Sequence, residues 1–181
     1  MMRFSFLTAI AVATAFANAN AGSKLYIATV NADPDNPDPQ QTALNQAAFE
    51  ALDWTQIAAV GSHGEVGSQT NILTYDTWDT DVIQKAKGMT DAGSPEIELA
   101  RVYNDNGQIA LRLAAATNLN YAFKIERNDE FEVGGSPTII YNRGLVTGPR
   151  RPMGRNEDFD LEIFTLALQQ REIVVDPAAA P

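Results

Sequence analysis

Between Ser23 and Val175 the chain is cut into short runs of β-forming residues, none of which can bury its own apolar side. "SKLYIATV" (23–30), "WTQIAAV" (54–60), "NILTY" (71–75), "DVIQKAKG" (81–88), "PEIELARVY" (95–103), "YAFKIER" (121–127), "TIIYNRGLV" (138–146) and "FDLEIFTLALQQREIVV" (159–175) read as strands with turns between them. In the fifth run Ile97, Leu99 and Tyr103 share one face and Glu96 and Glu98 the other. In the last, Phe159, Leu161 and Ile163 share one parity, then Phe164, Leu166 and Leu168 take the other. That phase change predicts a bulge, or a strand buried first on one face and then on both.

Only two stretches have helical spacing. "QQTALNQAAFEAL" (40–52) places Leu44, Ala47, Ala48 and Leu52 on one face, with Asp38 as N-cap and Pro39 at the first helical position. "NDNGQIALRLAAATN" (104–118) offers Asp105 as a cap and Ile109, Leu111, Leu113 and Ala114 for packing. The expected fold is mainly antiparallel β, with one or two short helices. No repeat or linker divides it, so one domain is expected over residues 22–176. "DPAAAP" closes the chain, and residues 177–181 are expected to be a disordered tail.

Residues 1–21 differ from the rest. Arg3 is followed by an apolar run from Phe4 to Phe16 and by Ala-Asn-Ala repeats of the small-x-small form found at secretory cleavage sites. Thirteen residues are too few to span a bilayer comfortably. The leader is either a cleavable signal peptide or an upstream extension of the reading frame.

Several chemistries are excluded by residue inventory. With no cysteine there are no disulfides, thiolate metal sites or cysteine nucleophiles, and a single imidazole, His63, rules out multi-histidine sites. "GSHGEVGSQTN" (61–71) lacks the lysine of a phosphate-binding loop, and Ser62 beside His63 is not a catalytic pair. No Gly-x-Ser-x-Gly occurs, and the adjacent acid pairs Asp129–Glu130 and Glu157–Asp158 do not face each other across a cleft. Asp33 and Asp35 have the first two spacings of a calcium loop, but its glycine and final glutamate are missing. No enzyme, metal or cofactor is expected.

Charge is the remaining signal. The formal net charge is −10, with 23 acidic and 13 basic residues, yet Arg143, Arg150, Arg151 and Arg155 gather in "RGLVTGPRRPMGRNED" (143–158). A nucleic-acid reader would segregate its positive charge, whereas here Glu157, Asp158 and Asp160 follow at once. A mixed-charge loop broken by Pro149 and Pro152 suits a docking contact.

"AGSKLYIATV", "NILTYDTWDTDVIQKAKG", "DNGQIALRLAAATNLNYAFKIE" and "YNRGLVTGPRRPMGRNEDF" together resemble the tail tube (major tail) proteins of long-tailed bacteriophages and prophages, over about residues 22–176. The resemblance implies a small β-sandwich or barrel with a flanking helix, whose copies form six-membered rings that share one β-barrel and stack into a tube. It implies self-association, contacts with the tape measure, tail terminator and tail-tip or baseplate proteins, and transient passage of DNA through an acidic lumen. The location would be the virion tail, assembled in the host cytoplasm, with no membrane in the mature form. On this reading Arg143, Arg150, Arg151 and Arg155 are expected at inter-subunit or inter-ring contacts, meeting Asp33, Asp35 and Asp38 of a neighbour. The opposing expectation is that the arginines balance acids within their own subunit. The rival identity is a secreted or periplasmic β-rich binding protein, which takes the leader as a signal peptide. A carboxylate-dependent hydrolase is a distant third.

Overall fold

The structure is a computed structural model and describes residues 20–29, 38–79, 81–130 and 134–179. The leader (apart from its last two residues), Asp33 and Asp35 lie outside the described residues, so the signal-peptide and calcium-loop readings do too. The strands are β1 (Lys24–Ala28), β2 (Trp54–Ile57), β3 (Val60–His63), β4 (Gln69–Tyr75), β5 (Gln84–Asp91), β6 (Glu96–Ala100), β7 (Tyr121–Glu126), β8 (Ile139–Arg150), β9 (Leu161–Leu168) and β10 (Ile173–Val175). The helices are α1 (Gln46–Glu50) and α2 (Asn106–Ala115), with a 3-10 turn at Pro39–Gln41.

Eight strands form one antiparallel sheet in the order β2-β1-β7-β8-β9-β6-β3, with β10 added alongside β8. The two ends of that path, β2 and β3, are consecutive in sequence, with only Ala58 and Ala59 between them. The chain therefore carries one margin of the sheet straight to the other, and the sheet curls into a barrel-like layer. Ala59 makes the corner in the left-handed region, at φ 57°. The predicted strand over 54–60 is thus two strands on opposite margins.

Alternation sorts the side chains onto the two faces of this sheet. Leu25, Ile27, Ile57, Ile97, Leu99, Phe123, Val146, Phe164 and Leu166 turn inward and pack with Leu111 and Ala114 of α2. Helix α2 lies against β1, β2 and β8. Gly107 allows that approach, because a Cβ there would run into the Gln56 carbonyl. Asp105 caps the helix as predicted, accepting from Gln108 N at 2.8 Å. Of the four predicted packing residues, Leu111 and Ala114 are buried, while Ile109 and Leu113 remain exposed.

A second cluster lies on the outer face, where Phe49 of α1 packs with Ala28, Leu44, Ala122 and Tyr141. The Phe49 and Tyr141 rings stack with centroids 5.1 Å apart. A five-residue helix has little stability of its own, so this burial and the Asn45 cap (Oδ1 to Ala48 N, 2.9 Å) hold it. The longer predicted helix over 40–52 is therefore divided. Asp38 and Pro39 do start a helical turn, but it ends at Gln41, and the α-helix begins afresh at Gln46.

The phase change predicted for the last run is absent from β9. Its burial alternates without interruption, with Glu162, Phe164, Leu166 and Leu168 all facing inward. A carboxylate in a core-facing slot imitates a shift of parity. The register irregularity lies instead in the partner strand β8, between Thr147 and Arg150, where Gly148 precedes a cis Pro149. The C-terminal end pairs at Ala178, which exchanges backbone hydrogen bonds with Ser136 at 2.9 and 3.2 Å. Residues 177–179 are therefore anchored where a disordered tail is expected. Among the described residues no helix is long and apolar enough to cross a membrane.

Candidate assembly surfaces

The most unusual surface is a β-hairpin. Strands β4 and β5 pair only with each other and form a separate two-stranded sheet. Isolated hairpins are marginal in water, and they gain independent stability by packing on something else. Register puts Leu73 opposite Ala86 and Tyr75 opposite Gln84 on one face. Ile72 opposite Lys87 and Thr74 opposite Lys85 occupy the other. Half of the exposed large apolar side chains of the described residues lie here: Ile72, Leu73, Tyr75, Trp78, Val82, Ile83 and Met89. Trp78, near the tip, is fully exposed and stands among Asp76, Asp79 and Asp81. Leu73 and Tyr75 thus give one face of the hairpin exposed apolar side chains, and Ile72 exposes another on the opposite face.

The arginine-rich stretch is strand before it is loop, since β8 runs through Arg150 and only residues 151–160 leave the sheet. Arg143 is buried. Its Nε donates to the Gln40 carbonyl at 2.6 Å and its Nη2 to the Gln41 carbonyl at 2.9 Å. Burial pushes its pKa below the usual guanidinium value. Arg143 therefore secures its own subunit's 3-10 turn and has no surface left to offer a neighbour. That is a correction to its expected place in a contact loop: the alternation of β8 directs it at the turn. Asp38 belongs to the same turn, accepting from Gln40 N at 2.9 Å and from Gln40 Nε2 at 3.2 Å.

Arg150 pairs with Glu96 on the exposed outer face. Arg151 Nε reaches Glu162 Oε1 at 2.9 Å, and Arg112 Nε reaches Glu162 Oε2 at 2.8 Å. Arg101 adds a 3.7 Å contact to Glu162 while also bonding Asp160 at 3.2 Å. Glu162 is completely buried. Burial by itself raises its pKa, but the hydrogen bonds and charges of Arg112 and Arg151 outweigh that effect and hold the carboxyl below its usual range. This ionic knot ties β9 to α2 and to the end of β8. Arg155 is different: its backbone N–H donates to Asp158 Oδ2 at 2.7 Å, and its guanidinium makes no ion pair among the described residues. Beside it Met153 and Phe159 are strongly exposed, as is Tyr103 on the adjoining turn.

An open cavity of about 520 Å³ lies between β1 and β3, lined by Ser23, Lys24, Val60, Ser62, His63 and Ile125 among others. His63 Nδ1 is 2.8 Å from the Gly64 carbonyl, which can only accept, so Nδ1 carries the proton. Burial lowers the His63 pKa, with the Gly64 bond opposing it. Ser62 is exposed, and the ring hydrogen bond of His63 goes to the Gly64 carbonyl. Among the described residues no cluster of His, Asp and Glu is arranged to hold a metal ion.

The hairpin strands were legible in the sequence, but their separation from the main sheet was not. The one available signal was a tryptophan between aspartates at a turn, where neither propensity nor core packing calls for an indole.

No protein-family model matches the chain, and no curated protein matches it in sequence. In three dimensions it is similar to a chain of the anti-feeding prophage baseplate, solved by cryo-EM with 6-fold symmetry imposed. The TM-score is 0.57 at 11% identity, over 90% of this chain and 97% of that chain. At this identity the likeness is one of fold, and it spans nearly the whole of both chains.

Proposed function

We propose that the protein is a non-catalytic structural subunit of a phage- or prophage-type tail, assembling with copies of itself. The observation that carries this reading is the β4–β5 hairpin, which projects apolar side chains into solvent from a fold shared with a prophage baseplate chain. A subunit that folds alone and works alone has no reason to bear that exposure.

In its finer form the reading is a tail tube subunit. Copies close into rings, six per ring, and rings stack around a lumen through which DNA passes. The net charge of −10 suits such a wall, because repelled phosphates do not adhere to it. The tape measure, terminator and tip or baseplate proteins are the expected partners, and the virion tail the expected location. Arg150, Arg151 and Arg155 sit at or beside the strand end that would meet a neighbour, although the first two already have acids within their own subunit.

Negative-stain electron microscopy of the purified chain from Gly22 onward tests the proposal. Rings or tubes with a central hole are expected. A protein that stays monomeric at crystallisation concentrations, and in the presence of a tail-tip initiator, would refute it in favour of an exported β-rich binding protein.

A further inference from the structure

The β4–β5 hairpin joins the rest of the subunit through two stems, residues 64–68 leading from β3 into β4 and residues 92–95 leading from β5 into β6. Both stems are fixed to the body at their outer ends. Gly64 N–H donates to the Glu96 carbonyl at 2.7 Å, Leu166 N–H to the Pro95 carbonyl at 2.9 Å and Leu168 N–H to the Gly93 carbonyl at 3.0 Å. Next to these anchors each stem passes through a glycine in a conformation that other residues rarely adopt, Gly67 at φ 149° and Gly93 at φ 93°. The two glycines lie against each other, since a Cβ on Gly93 would stand 3.2 Å from the Gly67 carbonyl oxygen. A Cβ on Gly67 would meet nothing within 4 Å. The hairpin therefore has two adjacent pivots, one on each stem, and a hinge needs only a few residues that take up the change in φ and ψ.

Beyond the pivots the hairpin holds itself together. Register pairs run from Gln69–Asp91 to Tyr75–Gln84, and the Thr70 and Thr90 hydroxyls are 2.8 Å apart. Thr70, Gly88 and Thr90 are half-buried, while the other residues of both strands are exposed. Ala92 rests against the edge of the core. Among the described residues one hydrogen bond links either strand to the body: Arg171 Nη2 donates to Thr90 Oγ1 at 2.6 Å. No ion pair among the described residues does so. Arg171 is mounted on fixed backbone. Gln169 N–H donates to the Arg143 carbonyl at 2.9 Å, the Gln170 side chain accepts from Leu44 N at 2.9 Å, and β10 starts at Ile173.

We infer that the hairpin is a hinged arm, which swings as a unit about Gly67 and Gly93, and that the Arg171–Thr90 hydrogen bond is the latch that holds its orientation. Arg171 is exposed, so water competes for the bond and the latch is easily opened. Swinging the arm carries Leu73, Tyr75 and Trp78 together. It changes where the subunit presents these apolar side chains, and leaves the pairing of β4 with β5 intact. The inference goes beyond the proposed assembly and holds whatever partner the arm meets.

The lack of cysteine allows spin labels to be placed at chosen sites in the full chain. Gln84→Cys puts one label on the arm and Gln56→Cys puts the other on β2, both at exposed positions. Double electron–electron resonance of the dilute, unassembled protein reads the distance between them. Hydrogen exchange of the β4 and β5 amides reads whether the hairpin stays paired. The native arm should give one narrow distance distribution. Arg171→Ala and, from the other side of the bond, Thr90→Val should each broaden it several-fold while amide protection in β4 and β5 is unchanged. A distribution that both substitutions leave narrow overturns the hinge, and one already broad in the native chain overturns the latch. Broadening accompanied by loss of β4–β5 protection overturns the arm as a unit, because the hairpin would then owe its pairing to the body.

Discussion

Replacing Glu162 by glutamine removes one negative charge from the centre of three arginines while nearly preserving shape. In the native protein its two oxygens accept from Arg151 Nε at 2.9 Å and Arg112 Nε at 2.8 Å, with Arg101 at 3.7 Å. Glutamine keeps one acceptor and turns an amide N–H₂ towards a guanidinium. Breaking a fully buried ion pair costs about 3–5 kcal/mol. Here the arginines are partly accessible, with side chains 22% exposed for Arg112, 38% for Arg101 and 47% for Arg151, so water recovers some of the loss. The lower figure applies, about 3 kcal/mol, which for a domain of this size lowers Tm by roughly 6–12 °C. The measurement is urea and thermal unfolding of the subunit at pH 7, with an Arg112 double-mutant cycle to isolate the pair. The effect must also depend on pH. The folded-state pKa of Glu162 lies below its ordinary 4.5, so its stabilisation is fully present above the unfolded value and disappears as pH falls through the folded one. The gap between wild type and Glu162→Gln should therefore be constant near neutrality, shrink below about pH 4.5 and close in stronger acid. A loss under about 1 kcal/mol at pH 7, or a gap that widens on acidification, would refute the ionic knot.

Three further outcomes are expected. Phe49→Ala should cost about 3–5 kcal/mol in chemical unfolding, because it empties a fully buried site under the Tyr141 ring and removes what holds α1; a cost near 1 kcal/mol would show that the outer cluster collapses around the gap. At the barrel corner Ala59→Gly should lie within about 0.5 kcal/mol of wild type or above it, whereas Ala59→Val should lose about 2 kcal/mol. Ala59 is exposed at φ 57°, so equal effects of the two substitutions would show that backbone conformation does not limit the corner. As the single imidazole, His63 gives one ring resonance in an NMR titration, and its midpoint should fall below 6.5. Since partial burial lowers that pKa, the corresponding stability is complete above 6.5 and is lost as pH falls through the folded value; a midpoint above 6.5 would contradict the half-buried, neutral ring.

Alternation and caps were readable because they act over a few residues. "PEIELA" discloses which side of β6 is buried, and Asp105 as a cap discloses the start of α2, without any knowledge of the partner elements. Likewise the short strands separated by turn residues led from the sequence alone to a mainly antiparallel β domain. What it could not disclose depends on positions far apart along the chain. Glu162 looks like a surface acid until Arg101, Arg112 and Arg151 converge on it from three other segments. Arg143 looks like a contact residue until the fold carries the Gln40–Gln41 carbonyls to it across a separation of about a hundred residues. The hairpin shows the same division. Local pattern makes β4 and β5 strands, but whether their apolar side chains meet the core or the solvent is settled by where the rest of the sheet closes, at Ala58–Ala59, leaving them outside. Hydrophobic periodicity says which residues need a partner surface, and only the tertiary arrangement says whether the chain itself provides one.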